Sequence, residues 1–186
     1  MTIGKFAALM SLPVLLALGA CDDSAAEKAA NVSENPGERE SLIATLDGVR
    51  ELSTAAAMLK QAGLEKALNG PAPYTLFVPT DEAFKAVDAD TLARLNNDEG
   101  RPELIALLRY HIAPGVVTQE DLMSAIDGAG GTAELANVAQ GMLAFSKQGE
   151  RVAIGSGDQA AMIVGAPIET SNGVIYSIDR LIAPQE

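Results

Sequence analysis

Apolar side chains return at intervals of three and four residues in the first half of this sequence, a spacing that predicts helices. The stretches SLIATLDGV, STAAAMLKQAG and RPELIALLRYHIAPG each collect their apolar residues on one helical face. Ser53 is placed to cap the second stretch and Gly63 to end it. Pro102 suits the start of the third, because the first turn of a helix does not use its N–H groups.

The second half changes to short β-rich runs: TAEL, MLAFSK, RVAIGS, AAMIVGAPI and VIYSIDRLI. Turn sequences separate them, and Asn172-Gly173 is the strongest of these signals because glycine tolerates a positive φ. An earlier β-rich run, 74–78, ends at Pro79, after which Thr80 or Asp81 caps another helix. Helices first and strands later predict an α+β fold with a mainly antiparallel sheet.

The first twenty residues have the pattern of a secretory signal peptide. One positive charge at Lys5 is followed by an apolar run from Phe6 to Leu18 and then by small residues. The apolar run is about 13 residues, too short for a helix to cross roughly 30 Å of hydrocarbon. We therefore predict that residues 1–20 are removed after export.

The segment LGAC, ending at Cys21, resembles the cleavage box of bacterial lipoproteins. That resemblance implies a lipidated cysteine as the new N-terminus and a protein held on a membrane of the bacterial cell envelope, facing the periplasm or the exterior. An ordinary secretion signal that happens to end near a cysteine is the alternative. Residues 21–40 are polar and rich in small side chains, which predicts a flexible tether. The globular domain is expected over 41–184.

Composition narrows the classes of partner. The formal net charge is -12 and the pI about 4.4. Because an acidic surface repels phosphates, we expect no binding to nucleic acid. Aromatic residues make up 4% and tryptophan is absent, so few rings are available to stack on bases or sugars.

His111, the only histidine in the chain, falls in line with Leu104, Leu107 and Leu108 on one apolar helical stripe. Pro114 disfavours helix at the residue before it, so this helix is predicted to end near His111. An imidazole in the last turn can bond a free helix carbonyl. We therefore interpret His111 as a buried structural residue.

No other pattern predicts catalysis, a cofactor or a metal. A serine triad would need Ser171 or Ser177 to meet His111, and no G-x-S-x-G elbow is present. One histidine and one cysteine do not make a zinc site. The acidic stretch DADTLARLNNDEG lacks the spacing of a calcium loop, and no carboxylate pair stands out for glycoside hydrolysis.

Three segments together resemble the fasciclin domain: YTLFVPTDEAF, LLRYHIAPG and IETSNGVIYSIDRLIAP. Their order and spacing fit that family over residues 41–184. The resemblance implies a wedge in which a small β-sandwich packs against a helical layer. It also implies motif positions, which here are Thr80, Asp81, Tyr110, His111, Asn172, Gly173 and Asp179. Tyr176 and Pro167 depart from the family, in which many members carry histidine and aspartate.

Fasciclin domains share no enzymatic activity, so the resemblance implies a non-enzymatic module that mediates adhesion through a protein or glycan partner. A carrier or sensor of a small apolar ligand is the alternative. It is suggested by Met123, Met142 and Met162, since methionine lines adaptable pockets. Filling of the hydrophobic core explains the same methionines.

Overall fold

The computed structural model describes residues 39–183, which contain seven α-helices. Their bounds are α1 Leu42–Gly48, α2 Ser53–Ala62, α3 Glu65–Leu68, α4 Asp81–Lys85, α5 Ala89–Leu95, α6 Arg101–Tyr110 and α7 Gln119–Gly128. Single 3-10 turns lie at Arg50–Leu52 and Gly157–Gln159. The helix ends follow local chemistry: Gly63 closes α2 with φ 75°, and Thr118 and Asp121 form a capping box on α7.

Seven strands form one sheet in the order β2-β1-β7-β6-β5-β4-β3. Their bounds are β1 Tyr74–Pro79, β2 Ile112–Pro114, β3 Thr132–Ala136, β4 Met142–Gln148, β5 Arg151–Ile154, β6 Ala161–Thr170 and β7 Gly173–Ile178. Only β1 and β7 pair in parallel; every other pairing is antiparallel. The predicted α+β fold with a mainly antiparallel sheet is confirmed.

Strand β6 joins the two halves of the sheet. Its first two residues, Ala161 and Met162, pair with β5, and residues 163–170 pair with β7 with a shift of register between Val164 and Ile168. Gly165 has φ 72° at this bulge, and Pro167, which has no N–H for the ladder, lies within it. A bulge bends its strand. Because β6 pairs with β5 on one side and with β7 on the other, the two layers of the expected sandwich are parts of one continuous sheet.

Alternating side chains of β1 and β7 divide the core into two clusters. Leu76, Val78 and Ile175 point toward the helical layer. Phe77 and Tyr176 point the other way, where their rings stack with centroids 5.5 Å apart. Since side chains alternate across a strand, the two central strands are buried on both faces. Four motif positions adjoin these strands: Thr80 follows β1, Asn172 precedes β7, Gly173 begins β7 and Asp179 follows it.

Helix α6 ends next to His111, as predicted, but residues 112–114, for which the sequence predicted no strand, form β2 and pair with β1. Ser53 was predicted to cap α2, but Leu52 occupies the N-cap and makes no side-chain cap bond. Residues 1–38 and 184–186 lie outside the described residues, and so do the predicted signal peptide, Cys21 and nearly all of the tether. Within 39–183, no helix is long and apolar enough to cross a membrane.

Candidate functional site

His111 lies directly after α6, with 5% of its surface exposed. Its Nδ1 is 2.8 Å from the carbonyl oxygen of Leu107, and its Nε2 accepts a hydrogen bond from the backbone N–H of Ile182 at 3.0 Å. Because Nε2 accepts, Nδ1 carries the proton and donates to Leu107. The ring therefore joins the end of a helix to the segment that follows the last strand.

This environment leaves His111 without a free nitrogen for chemistry. Burial lowers the pKa of the imidazole from 6.5 to about 4, against the raising effect of the bond to Leu107. The neutral ring packs beside Leu59, Leu76 and Leu108, and the apolar space that these side chains line with it is only about 20 Å³. A general base or metal ligand needs an accessible lone pair. In this conformation both nitrogens are occupied by backbone groups.

Tyr110 faces the opposite core cluster and supports the loop between β3 and β4. Its hydroxyl donates to the Met142 carbonyl at 3.0 Å. A Cβ on Gly141 would lie 2.9 Å from the tyrosine ring, so the loop approaches the ring too closely for a larger residue. Asn137 Oδ1 accepts from the N–H groups of Ala139 and Gly141, which fixes the loop.

Asp81 explains how α2 begins without a cap of its own. Thr80 caps α4 by accepting from Ala83 N, which frees the Asp81 carboxylate. That carboxylate accepts from Thr54 N at 2.8 Å and from Ser53 Oγ at 2.7 Å, across to α2. Partial burial acts to raise the pKa of Asp81, but the hydrogen bonds from Thr54 and Ser53 outweigh it and the pKa is lowered.

Asn172 joins three separate segments. Its Oδ1 accepts from Leu42 N at 2.8 Å and its Nδ2 donates to the Leu68 carbonyl at 2.7 Å. Its own carbonyl accepts from Tyr74 N. These bonds connect the β6–β7 turn to the start of α1, the end of α3 and the start of β1.

Gly173 is required for a reason that the turn signal did not reveal. The two-residue turn consists of Ser171 and Asn172, while Gly173 is already the first residue of β7 and pairs with Thr170. Gly173 does not have a positive φ. Instead, a Cβ there would lie 2.0 Å from the Tyr74 carbonyl oxygen. The predicted turn at Asn172-Gly173 is therefore shifted by one residue.

Asp179, the remaining motif position, and Tyr176, which departs from the family pattern, also form hydrogen bonds with backbone groups. Asp179 Oδ1 accepts from Met162 N at 2.7 Å, which holds the end of β7 to the start of β6. The Tyr176 hydroxyl donates to the Val117 carbonyl at 2.9 Å. Burial raises the pKa of Tyr176 to about 12, with a further contribution from the charge of Asp121. Tyrosine is thus a structural residue at this position.

An open cleft of about 560 Å³ lies beside this scaffold. One wall is the segment after β7, Leu181–Ala183, and another is the β5–β6 loop with Gln159. The outer face of β3 and β4 contributes Glu134 and Met142. Met142 is 50% exposed, although β4 otherwise buries its large apolar side chains. The volume falls within the range of ligand-binding clefts.

Only two of the motif residues, Tyr110 and His111, are connected with the cleft. Tyr110 lines the cleft, and His111 holds Ile182, which also lines it. The other motif positions make structural contacts elsewhere. Sequence reasoning named Met142 as a general sign of a pocket, but it missed Glu134 and Gln159. No local pattern marks those two, because folding brings them together from different strands and loops. Within the described residues, no group of three or more His, Cys, Asp or Glu side chains is placed to hold a metal ion.

Comparison with known proteins assigns this fold to a family. The Fasciclin domain family matches residues 50–184, and the chain belongs to that family. A solved structure of a FAS1 domain pair from the insect cell adhesion molecule Fasciclin I superimposes with a TM-score of 0.61 at 19% identity. The match covers 78% of this chain and 51% of that one, so the fold is that of a FAS1 domain.

Among its relatives, Protein sll1483 of Synechocystis is 32% identical over 159 residues, which cover 85% of this chain and 82% of the cyanobacterial protein. Immunogenic protein MPB70 of Mycobacterium bovis is 28% identical, with 72% of this chain and 64% of that protein covered. Human Periostin is 29% identical over 81% of this chain, but this region is only 17% of Periostin. The resemblance to fasciclin domains inferred from three motifs is confirmed.

Proposed function

We propose that this protein is a non-enzymatic adhesion module held on the bacterial cell envelope by a lipid on Cys21. The observation that carries the proposal is the fasciclin match over residues 50–184. One protein with this fold, Fasciclin I, is described as an insect cell adhesion molecule. The lipoprotein-like segment LGAC and the polar tether supply the anchoring part of the proposal.

The state of His111 supports the non-enzymatic part. A serine hydrolase with a Ser-His-Asp triad would require the one histidine of this chain as its base, but both ring nitrogens bond backbone groups. A pKa of about 4 also leaves the buried ring a weak base. The other motif side chains described above hold secondary-structure ends together.

Deletion of the gene, followed by complementation, tests adhesion. The deletion strain should attach less to neighbouring cells or to solid surfaces, and the wild-type gene should restore attachment. Cys21→Ala should not restore it, because the protein would no longer carry its acyl chains. The alanine variant needs a matched expression level, checked by immunoblot. Unchanged attachment of the deletion strain across several surfaces would refute the adhesion proposal.

Carriage of a small apolar ligand is the second candidate, favoured by the volume of the cleft and the exposure of Met142. Native mass spectrometry of the full chain, extracted in mild detergent from its own membranes, separates the two. A carrier should show a reproducible added mass beyond its acyl groups. Met142→Trp should fill part of the cleft and so reduce the fraction of chains that carry this added mass. A chain bearing only its acyl groups would count against carriage.

A further inference from the structure

The described chain enters the fold at one end of β7. Glu40 accepts a backbone hydrogen bond from Ser171 at 2.9 Å. Arg39 forms an ion pair with Glu169 at 2.6 Å. Ser171 lies in the β6–β7 turn, and Glu169 is the second-last residue of β6. A tether that continues toward Cys21 therefore leaves the domain at the turn that precedes β7.

The open cleft lies at the other end of the same strand. Its wall Leu181–Ala183 begins three residues beyond the last residue of β7, Ile178. Six residues of strand separate the two ends by roughly 17 Å. Strand β6 runs the other way between the same ends, with Thr170 at the tether end and Ala161 at the cleft end. The cleft thus lies at the opposite end of β7 from the point where the described chain enters the domain.

We propose that this cleft is the contact surface of the protein and that it takes an extended polypeptide segment carrying a basic side chain next to an apolar one. This inference rests on the proposed adhesion function, because an anchored domain would present the end opposite its tether to a partner. It goes beyond that function by naming the surface and the chemistry of the partner.

The apolar requirement comes from Met142. Its side chain is 50% exposed at the cleft, with Leu181 on the facing wall. Methionine is flexible and polarisable, and it is enriched at protein interfaces. Burial of such a side chain against a partner is favourable in proportion to the apolar area removed from water.

The basic requirement comes from Glu134 and from the charge of the whole chain. Glu134 is exposed at the cleft, and among residues 39–183 it has no ion-pair partner. The chain carries a formal net charge of -12, which attracts a basic segment and disfavours a second copy of the same protein. Gln159 adds an amide whose oxygen accepts from Arg180 at 3.5 Å and whose NH2 group can donate to a peptide backbone.

A polypeptide fits these walls better than a sugar does. Glycan recognition commonly uses exposed aromatic faces, but the only aromatic residue of the cleft, Tyr110, is 8% exposed and its hydroxyl is bonded to Met142. The cleft offers instead an apolar rim, a free carboxylate and an amide. These groups match the side chains and backbone of an extended peptide.

Peptide binding tests the proposal on the full lipidated chain in phosphatidylcholine nanodiscs, with empty nanodiscs as the background. The probes are three short synthetic peptides of equal length that alternate Lys with Leu, Glu with Leu, or Lys with Ser. We expect the Lys–Leu peptide to bind at least about tenfold more tightly than the other two, because it alone supplies both interactions.

Two variants alter the cleft and a third controls for charge. Glu134→Lys and Met142→Glu should each weaken binding of the Lys–Leu peptide by about tenfold. Glu99→Lys makes the same charge change at an exposed residue before α6, at the opposite end of that helix from Tyr110. It should leave binding within about twofold of wild type. Unfolding curves that match wild type would show that the variants are folded.

The outcomes separate this inference from the adhesion function. Equal binding of all three peptides, or equal losses in Glu134→Lys and Glu99→Lys, would overturn the proposed surface. Self-association of the chain through the cleft, or a copurified small molecule that fills it, would overturn the choice of partner. Selective peptide binding with unchanged attachment of the deletion strain would leave the surface intact and refute adhesion.

Discussion

The two ends of β7 are built in contrasting ways. At the first end, the Asn172 side chain bonds residues that are distant in sequence, and Gly173 brings its backbone against Tyr74 where no side chain fits. At the second end, Met142 and Glu134 line an open cleft and make few polar contacts. Asn172 and Gly173 are motif residues at the first end. At the second end the motif residue His111 holds the backbone of Ile182 in the cleft wall, but the cleft side chains Glu134 and Met142 belong to no motif.

This contrast shows what the motif residues do. His111, Asp81 and Asn172 each bond backbone groups at the end of another element, so they hold helices and strands in place. A contact surface can change its residues from member to member while the scaffold stays the same. Substitutions of these motif residues should therefore alter stability, and substitutions of the cleft side chains should alter binding.

Gly173→Ala should give the largest effect. Its Cβ would lie 2.0 Å from the Tyr74 carbonyl oxygen and 2.9 Å from Leu42, so the parallel β1–β7 pairing must shift. We expect a loss of about 3–5 kcal/mol in the free energy of unfolding, or failure to fold. Gly128→Ala is the matched control, because nothing lies within 4 Å of its added Cβ. Urea unfolding that places both variants within about 0.5 kcal/mol of wild type would disprove the close approach.

His111 should make stability depend on pH. The folded pKa is about 4 and the ordinary value is 6.5, so between these limits the unfolded chain binds more protons than the folded one. The stabilisation is complete above pH 6.5 and is lost as the pH falls toward 4, with a total of about 3 kcal/mol.

His111→Ala isolates that contribution. At pH 7 the variant should be less stable by about 1–3 kcal/mol, because the Leu107 carbonyl and the Ile182 N–H lose their partner. Carboxylates titrate alike in both proteins, so the difference between their urea unfolding free energies should shrink as the pH is lowered toward 4. A difference that stays constant from pH 7 to pH 4 would contradict the buried neutral imidazole.

Asn172→Ala should cost about 2 kcal/mol, since it leaves the Leu42 N–H and the Leu68 carbonyl without their side-chain partner. Asn96→Ala provides the comparison, because Asn96 is exposed at the end of α5 and only its backbone groups take part in described bonds. Thermal unfolding should separate the two variants by several degrees. Equal melting temperatures would show that the bonds of Asn172 add little to stability.

The sequence predicted local elements better than the contacts between them. Periodic apolar residues located α1, α2 and α6, and Gly63 marked the end of α2, because each signal lies within a few neighbouring residues. The cap of α2 could not be read in this way. Ser53 had the expected spacing, but the oxygen that receives Thr54 N belongs to Asp81.

Gly173 and the cleft show the same limit. An Asn-Gly pair is a turn signal by its local chemistry, yet the glycine is needed because of Tyr74, which is far away in the sequence. Glu134, Met142 and Gln159 come from two strands and a loop, and no spacing relates them. Contacts that depend on tertiary packing produce no periodic pattern in the sequence. The motifs therefore identified the structural residues of the domain but not the residues that line the cleft.

The smallest effect on stability is expected at the cleft. The double variant Glu134→Lys/Met142→Gln changes one exposed charge without an ion pair among the described residues and one half-exposed side chain. Its unfolding free energy should remain within about 0.5 kcal/mol of wild type, as for most surface substitutions. Attachment of cells that carry it should nevertheless fall toward that of the deletion strain. A loss of stability comparable to that of Asn172→Ala would make the cleft part of the scaffold and remove the distinction between the two ends of β7.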